Sequence, residues 1–381
     1  MKPLPIWPGT LTSRERFLRQ LDGQPVDRSV NREFGYWDEV YNSWNLFLKH
    51  DLTSEWKANR FFGFDPFHRV TASHPETGNY LWLNPPFKRT VIESKDGVDI
   101  IRNEEGLIAE VSTRKPDVIP HFLSSSIQTP EDWKIIKEER LNVHHPSRII
   151  PMEYIKQQQE WYPDDHDYPL GIYVGSLIGK VRDLLTFEGL SYAWFDYPEM
   201  VEDMIETCCQ LIEKYLDQML PHFSIDYAMG WEDISFNSGP LITIDLWERI
   251  IVPRYKRISK KLRAHGVFIY IVDTDGRIDQ LVPGFLEGGV NVMFPYEVKP
   301  NMFVGDFLQK FPEIKVMGGI DKFALIKGRD AIDAYLESIL PYVKQGRFIP
   351  HVDHRCPPNV KEDDYLYYLK KKKELFGGFD K

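Results

Sequence analysis

The sequence predicts a (β/α)8 barrel of the TIM type, and two observations carry that expectation. From about Pro169 to the C-terminus, apolar runs of about six residues lead into polar or glycine-bearing loops and then into amphipathic helices, repeatedly. Apolar strands alternating with helices form parallel sheets buried on both faces. With two earlier runs the units number eight, the count that closes a barrel. No G-x-G-x-x-G follows the first strand, which tells against a dinucleotide-binding doubly wound sheet.

In chain order, "TSRERFLRQLDG" (12–23) has a Thr or Ser N-cap and a closing glycine, the marks of a short helix, and the turn "QPVDR" follows. "SVNREFGY" (29–36) and "RFFGFD" (60–65) are the first two expected barrel strands. Between Asn79 and Lys115 the runs "NYLWL", "FKRTVIES", "VDIIRN" and "LIAEVST" are separated by "NPP", "KDG" and "EEG", which predicts an antiparallel β-meander inserted near residues 79–115. Residues 116–168 are polar and rich in Pro and His, with one helix near "PEDWKIIKEERL". The region 79–168 therefore reads as an insertion or elaboration within a single barrel domain spanning 1–381. The remaining strands are "GIYVGS", "DYAMGWED", "VFIYIVD", "VNVMFPY", "IKVMGGI" and "RFIPHVD". Helices are expected over 197–220, over 245–265 with Pro253 as a kink or break, and over 329–346.

The 381 residues are 42% hydrophobic, ample for a sizeable core. A formal net charge of -10 argues against general binding to a nucleic-acid backbone. No run of about 18 apolar residues spans a bilayer, and "MKPLPIWPGTLTSRERF" lacks the apolar core of a signal peptide. Three cysteines, two of them the adjacent Cys208 and Cys209, give no disulfide framework, so a cytoplasmic location is expected. The lysines 370–373 close a C-terminal helical stretch, where cations favour the helix dipole, and are expected to form a solvated terminus.

Chemistry in such a barrel sits where strands end. That rule selects Glu33, Asp65, Trp231, Glu232, Asp233, Asp273, Asp275, Tyr296, Glu297, Asp321, His351, Asp353 and His354. Asp273 and Asp275 share one face by the period of two, as metal ligands or as a pair in which repulsion makes one a general acid; the plainer reading is a turn at Asp275-Gly276 and a helix cap. "PHVDHRCPP" (350–358) puts imidazole beside carboxylate, suited to a transition metal or to acid–base work, or else to fixing the loop; Cys356 is a loop residue or a thiolate ligand. Asp233 is suited to metal, substrate or a turn, Asp65 before Pro66 to a turn, and Asp321 in "GGID" to an N-cap.

The runs "VDTDGRIDQLVPGFLEGGVNVMFPYEV", "VMGGIDKFAL" and "GRFIPHVDHRCPPNV", with "LRQLDGQPVDR" and "WEDISFNSGPLITIDLWERIIVPRYKRI", resemble the uroporphyrinogen decarboxylase superfamily over about residues 12–70 and 170–376. The resemblance implies a (β/α)8 barrel with its site at the strand C-termini. On the decarboxylase side of the superfamily, His354 falls on a functional histidine and Asp65 on an aspartate. The arginine-rich loop is reduced in "NREFGYW" to Arg32, with Glu33 and Tyr36 in place of further cations, and the tyrosine's neighbourhood offers Arg182 and Asp183. On the cobalamin-linked methyltransferase side, "DTDG" (273–276) lies on the His-x-Cys-Gly zinc motif, and Asp353 or His354 lies near the distant Cys. Carboxylates there favour an oxygen-containing substrate over a thiol.

The expectation is a methyltransferase or demethylase acting on a small methylated compound, a methyl ether or methylamine. A divalent metal such as Zn²⁺ would sit on Asp273, Asp275 and His354, with Asp353, His351 and Cys356 as alternates, or those three would serve as acid and base, and Asp65 would join the catalytic set. Glu33, Tyr36, Trp231, Asp233, Phe294 and Glu297 would bind substrate. A cobamide on a partner protein would take the methyl group, and a homodimer is the expected assembly. Aromatics such as Trp37, Trp44, Trp231 and Phe294 would flank substrate or corrinoid, or fill the core. The alternatives are a metal-free decarboxylase or lyase acting on a non-porphyrin carboxylate, and a binding protein that kept the barrel without the chemistry.

Overall fold

Seven strands, His68–Val70, Leu170–Gly175, Tyr227–Trp231, Ile269–Asp273, Val292–Tyr296, Lys315–Ile320 and Phe348–Val352, pair in parallel in that spatial order to form a curled sheet. The computed structural model describes residues 2–73, 79–114, 120–298 and 302–379. Alternate residues of the strands, Tyr227 and Met229, Ile269 and Ile271, Val292 and Phe294, with Met317 and Ile349, gather in one inner cluster. Phe17 and Leu21 of the helix Ser13–Leu21 close that cluster from below. The other strand faces join the larger core beneath the helices, which is why these strands read as unbroken apolar runs.

Local signals explain the helices. Thr12 and Glu15 form a reciprocal capping box on Ser13–Leu21. The long helix Pro198–Met219 opens with a proline whose missing N–H has no partner to lose. The 245–265 stretch divides into a short helix Ile244–Leu246, a π-helical turn Trp247–Ile251 and the α-helix Val252–Ala264. Pro253 cannot donate into the ladder, and the widened turn just before it absorbs the mismatch.

Two expected strands differ. "RFFGFD" is the end of the helix Glu55–Phe62, capped by Ser54 and stopped by left-handed Gly63 at φ 64°; the strand comes three residues later, at His68. "SVNREFGY" is not a ladder strand, because its amides bond elsewhere: Ser29 N–H to the Phe376 carbonyl, Val30 N–H to Gln20 and Asn31 N–H to Asp65. Isolated bridges flank it, Arg28–Gly377 just before the segment and Tyr36–Cys356 at its end.

Between residues 90 and 125, the strands Thr90–Lys95, Val98–Arg102, Leu107–Ser112 and His121–Ser125 pair consecutively and antiparallel. "NYLWL" is not a strand there, and Lys115 lies outside the described residues. Lys180 bonded to Glu105, and Ser125 donating to the Leu184 carbonyl at 2.5 Å, fasten this sheet to the first helix after Leu170–Gly175. No helix among the described residues is long and apolar enough to cross a membrane.

Gly171 shows how tightly the inner cluster is packed. A Cβ there would lie 2.2 Å from the Tyr227 ring, whose hydroxyl donates to the His68 carbonyl at 2.9 Å. Gly171→Ala is expected to lower unfolding free energy by about 1–3 kcal/mol in urea denaturation.

Candidate active site

The strand register brings three expected residues together: Asp273 pairs with Trp231 on one side and with Phe294 on the other. All three line a cavity of about 760 Å³ at the strand C-termini. Met229, Phe294 and Tyr173 line it from the sheet, Arg32, Phe34, Phe67 and Arg355 from the loops, and the exposed Ile6 and Trp56 also border it. Asp273 continues the inward alternation of Ile269 and Ile271 into this space. Burial, then the charges of Asp275 and Asp233, push its carboxyl up to about 8, so it is protonated at neutral pH.

Facing the same cavity, Arg32 stands over the Phe67 ring at 3.9 Å, and its Nε and Nη1 are buried without a hydrogen-bond partner among the described residues. Burial lowers its pKa. A guanidinium left without an acceptor is costly to bury, and an anionic group of a ligand would satisfy it.

Asp275 goes elsewhere. The strand stops at Asp273, Thr274 N–H bonds to the Phe294 carbonyl, and Gly276 turns the chain at φ 80°. A Cβ on Gly276 would meet the Ser235 carbonyl at 2.4 Å, so only glycine lets the 235–236 segment close over this turn. Asp275, Asp233 and Glu297 line a second cavity of about 700 Å³ with Arg182, Phe187 and Phe236. Asp275 lies 3.7 Å from Nε2 of His354, whose ring packs on Phe34 and Trp37. The other Asp275 oxygen is buried without a hydrogen-bond partner among the described residues. Arg182 holds Asp233 at 3.1 Å, and Glu297 accepts from Gly276 N–H at 3.0 Å with Lys322 at 3.5 Å.

Glu33 and Asp65 also line the larger cavity, and they and the remaining expected site residues are held by the scaffold. Glu33 accepts from Lys372 at 2.6 Å, Tyr368 at 2.7 Å and Val352 N–H at 3.1 Å. The Tyr36 hydroxyl bonds that of Tyr365 within an aromatic cluster. Asp65 takes a two-pronged bond from Arg28, both contacts 2.8 Å, and another from Asn31 N–H. Asp353, pushed by burial to about 6, accepts from Val298 and Lys322 amides. His351 is fully buried and held neutral by burial, and the buried Cys356 thiol is pushed up for the same reason. Asp321 caps Lys322–Lys327.

These residues do not fit a resident divalent metal. Asp275 and His354 are near one another, but Asp273 lines the other cavity, and among the described residues no group of three or more His, Cys, Asp or Glu side chains is placed to hold an ion. Sequence reasoning missed Arg69 and Arg355 in the larger cavity, while Glu232, selected at its strand end, is fully buried in the scaffold. Glu232 accepts from Ser176, Leu177 N–H, Gly179 N–H and Tyr255, tying two strand ends together. Arg69 lies in the strand His68–Val70, which begins after the aromatic run 60–65, a signal available only once Gly63 is read as a helix stop.

No family model matches the sequence, and no curated protein matches it. Among solved structures, a methyltransferase from Methanosarcina mazei superposes with a TM-score of 0.58 at 12% identity, covering 96% of this chain and 99% of that one. A B12-independent methionine synthase from Shewanella sp. W3-18-1, in complex with selenomethionine, gives a TM-score of 0.42 at 12% identity, covering 100% of this chain and 97% of that one. The first likeness shows the fold: this chain shares the α/β architecture of a methyltransferase along almost its whole length.

Proposed function

We propose that this chain is a methyl-transferring enzyme of the uroporphyrinogen decarboxylase-like barrels, with the 28–36 segment standing where an eighth strand would close the barrel. Its substrate is a small methylated ether or amine that also carries an anionic group. The observation behind this reading is the pairing, in one cavity, of the unpartnered Arg32 with the protonated Asp273. Arg32 holds the anionic group and fixes the molecule's direction. Trp231, Phe294, Phe34 and Phe67 exclude water around the methyl-bearing end. The methyl group leaves as a cation equivalent while the bonding pair stays on oxygen or nitrogen, and Asp273 donates the proton that neutralises it. A reduced corrinoid carried by a partner protein would supply the nucleophile when bound, and Ile6 and Trp56, exposed beside the cavity, would give a flat macrocycle an apolar edge to meet. The fold likeness to a methyltransferase supports this choice of reaction. Asp275 and His354, beside the second cavity, are proposed to set the charge around Asp273.

The same arginine and acid also suit decarboxylation of a non-porphyrin carboxylate, and one experiment separates the two. Purified protein is mixed with methoxylated and N-methylated carboxylic acids; consumption of free cob(I)alamin is followed by absorbance and released CO2 is measured. Corrinoid-dependent demethylation supports methyl transfer. Release of CO2 without loss of methyl groups makes the chain a decarboxylase, and neither product across the series overturns both. Arg32→Met is expected to raise KM roughly 10–100-fold with a smaller change in kcat, from loss of a charged hydrogen bond to the anionic group.

A further inference from the structure

The N-terminal ends of the strands, at the opposite end of the sheet from Asp273, enclose with the helix Ser13–Leu21 a third cavity of about 670 Å³. Arg14, Arg19, Asp22, His265, Phe268 and Lys315 are among its lining residues. Arg14 is already committed, to Asp226 at 2.8 Å and Ser224 at 3.3 Å, and forms a fixed wall. Lys315, the first residue of its strand, is half-buried. Neither Lys315 nor Arg19 makes an ion pair among the described residues. Burial holds the Lys315 ammonium below its ordinary pKa, with Asp22 pulling it up and Arg347 pushing it further down, as expected of a cation without a close partner. Lys315 and the exposed Arg19 thus face one cavity without an ion pair among the described residues, with the carboxylate of Asp22 also in the lining. The Phe268 ring is 64% exposed, and its carbonyl is tied to the Asn291 side chain at 2.9 Å, so the backbone beneath the ring is braced.

We propose that this cavity binds the phosphate group of a small molecule that also carries a planar ring, with Lys315 and Arg19 on the phosphate and Phe268 against the ring. Phosphate offers several acceptors to two charged donors, and an exposed aromatic face takes a flat heterocycle at little cost in order. Standing at the far end of the sheet from Arg32 and Asp273, such a site belongs to control of the enzyme or to its anchoring, and it is independent of the reaction proposed above.

Isothermal titration calorimetry of the full chain with AMP, adenosine and inorganic phosphate at low salt tests the assignment. AMP is expected to bind more tightly than phosphate or adenosine. Lys315→Met, which keeps the apolar stem, should weaken AMP about tenfold or more, and Phe268→Ser should erase the advantage of AMP over phosphate. Arg32→Met, in the other cavity, should leave AMP binding unchanged. Thermal melts of each variant check that it is folded. Phosphate binding as tightly as AMP assigns the cavity to free phosphate and overturns the ring contact. Adenosine as tight as AMP, unchanged AMP binding in folded Lys315→Met, loss of binding in Arg32→Met, or no binding of any of the three overturns the proposal.

Discussion

Asp273→Asn is expected to lose activity by roughly 10²–10⁴-fold, the usual contribution of a positioned general acid, while becoming more stable than the parent at pH 8. Both effects come from one proton. The carboxyl sits at about 8 in the folded chain against an ordinary value of 3.8, with burial as the largest cause and Asp275 and Asp233 next. Between those values the folded chain holds a proton that the unfolded chain has released, so stability falls as pH rises through that window. Asparagine keeps the shape without the charge, and at pH 8 it should recover on the order of 3–5 kcal/mol. The rate of the parent enzyme should fall as pH rises through about 8, where the acid loses its proton, and that limb should vanish from the residual activity of the variant. Urea denaturation at pH 5 and pH 8, with pH–rate profiles of both proteins, measures this. A variant equally active, or one whose stability keeps the parent's pH slope, would remove Asp273 from the acid role.

Lys372→Met should be the most damaging substitution away from the cavity, costing about 3–5 kcal/mol. Lys372 and Glu33 are both buried, 2.6 Å apart, and the lysine also donates to the Arg32 carbonyl at 2.8 Å. Removing the ammonium strands a buried carboxylate with only Tyr368 and Val352 N–H for company. The double variant Glu33→Gln/Lys372→Met should recover part of the loss, because the uncompensated charge has gone. Since Lys372 braces the backbone of Arg32 itself, surviving Lys372→Met protein should also show a raised KM. Full stability in Lys372→Met, or a double variant worse than the sum of the singles, would show that the pair is not what holds this loop.

The parallel sheet was legible from residue 170 onward because strands buried on both faces leave long apolar runs between helices, as "VFIYIVD" and "IKVMGGI" do. Near the N-terminus the pattern misleads. "RFFGFD" is aromatic enough for a strand, but Ser54 and Gly63 bracket a helix, and "SVNREFGY" spends its amides on Gln20, Asp65 and Phe376. The place of Asp273 at the C-terminal end of its strand was readable because it depends only on that strand's own period and end. The partners of Glu33 and Tyr36 were not, since Lys372 and Tyr365 lie at sequence separations of 339 and 329. The isolation of Arg32 depends on the Phe67 ring beneath it, a contact that follows from the packing of loops and leaves no periodic mark.

The bond from Lys372 to the Arg32 carbonyl spans 340 residues, and Arg28 bridges to Gly377 beside it. Contacts so distant along the chain form late, because a long loop must close before they give anything back. On the ribosome, the segment carrying Arg32 is made near the start of synthesis yet must wait for the helix Glu362–Leu375 before its backbone is secured. Nascent chains arrested before that helix should therefore display this segment to proteases, even with most of the sheet already formed.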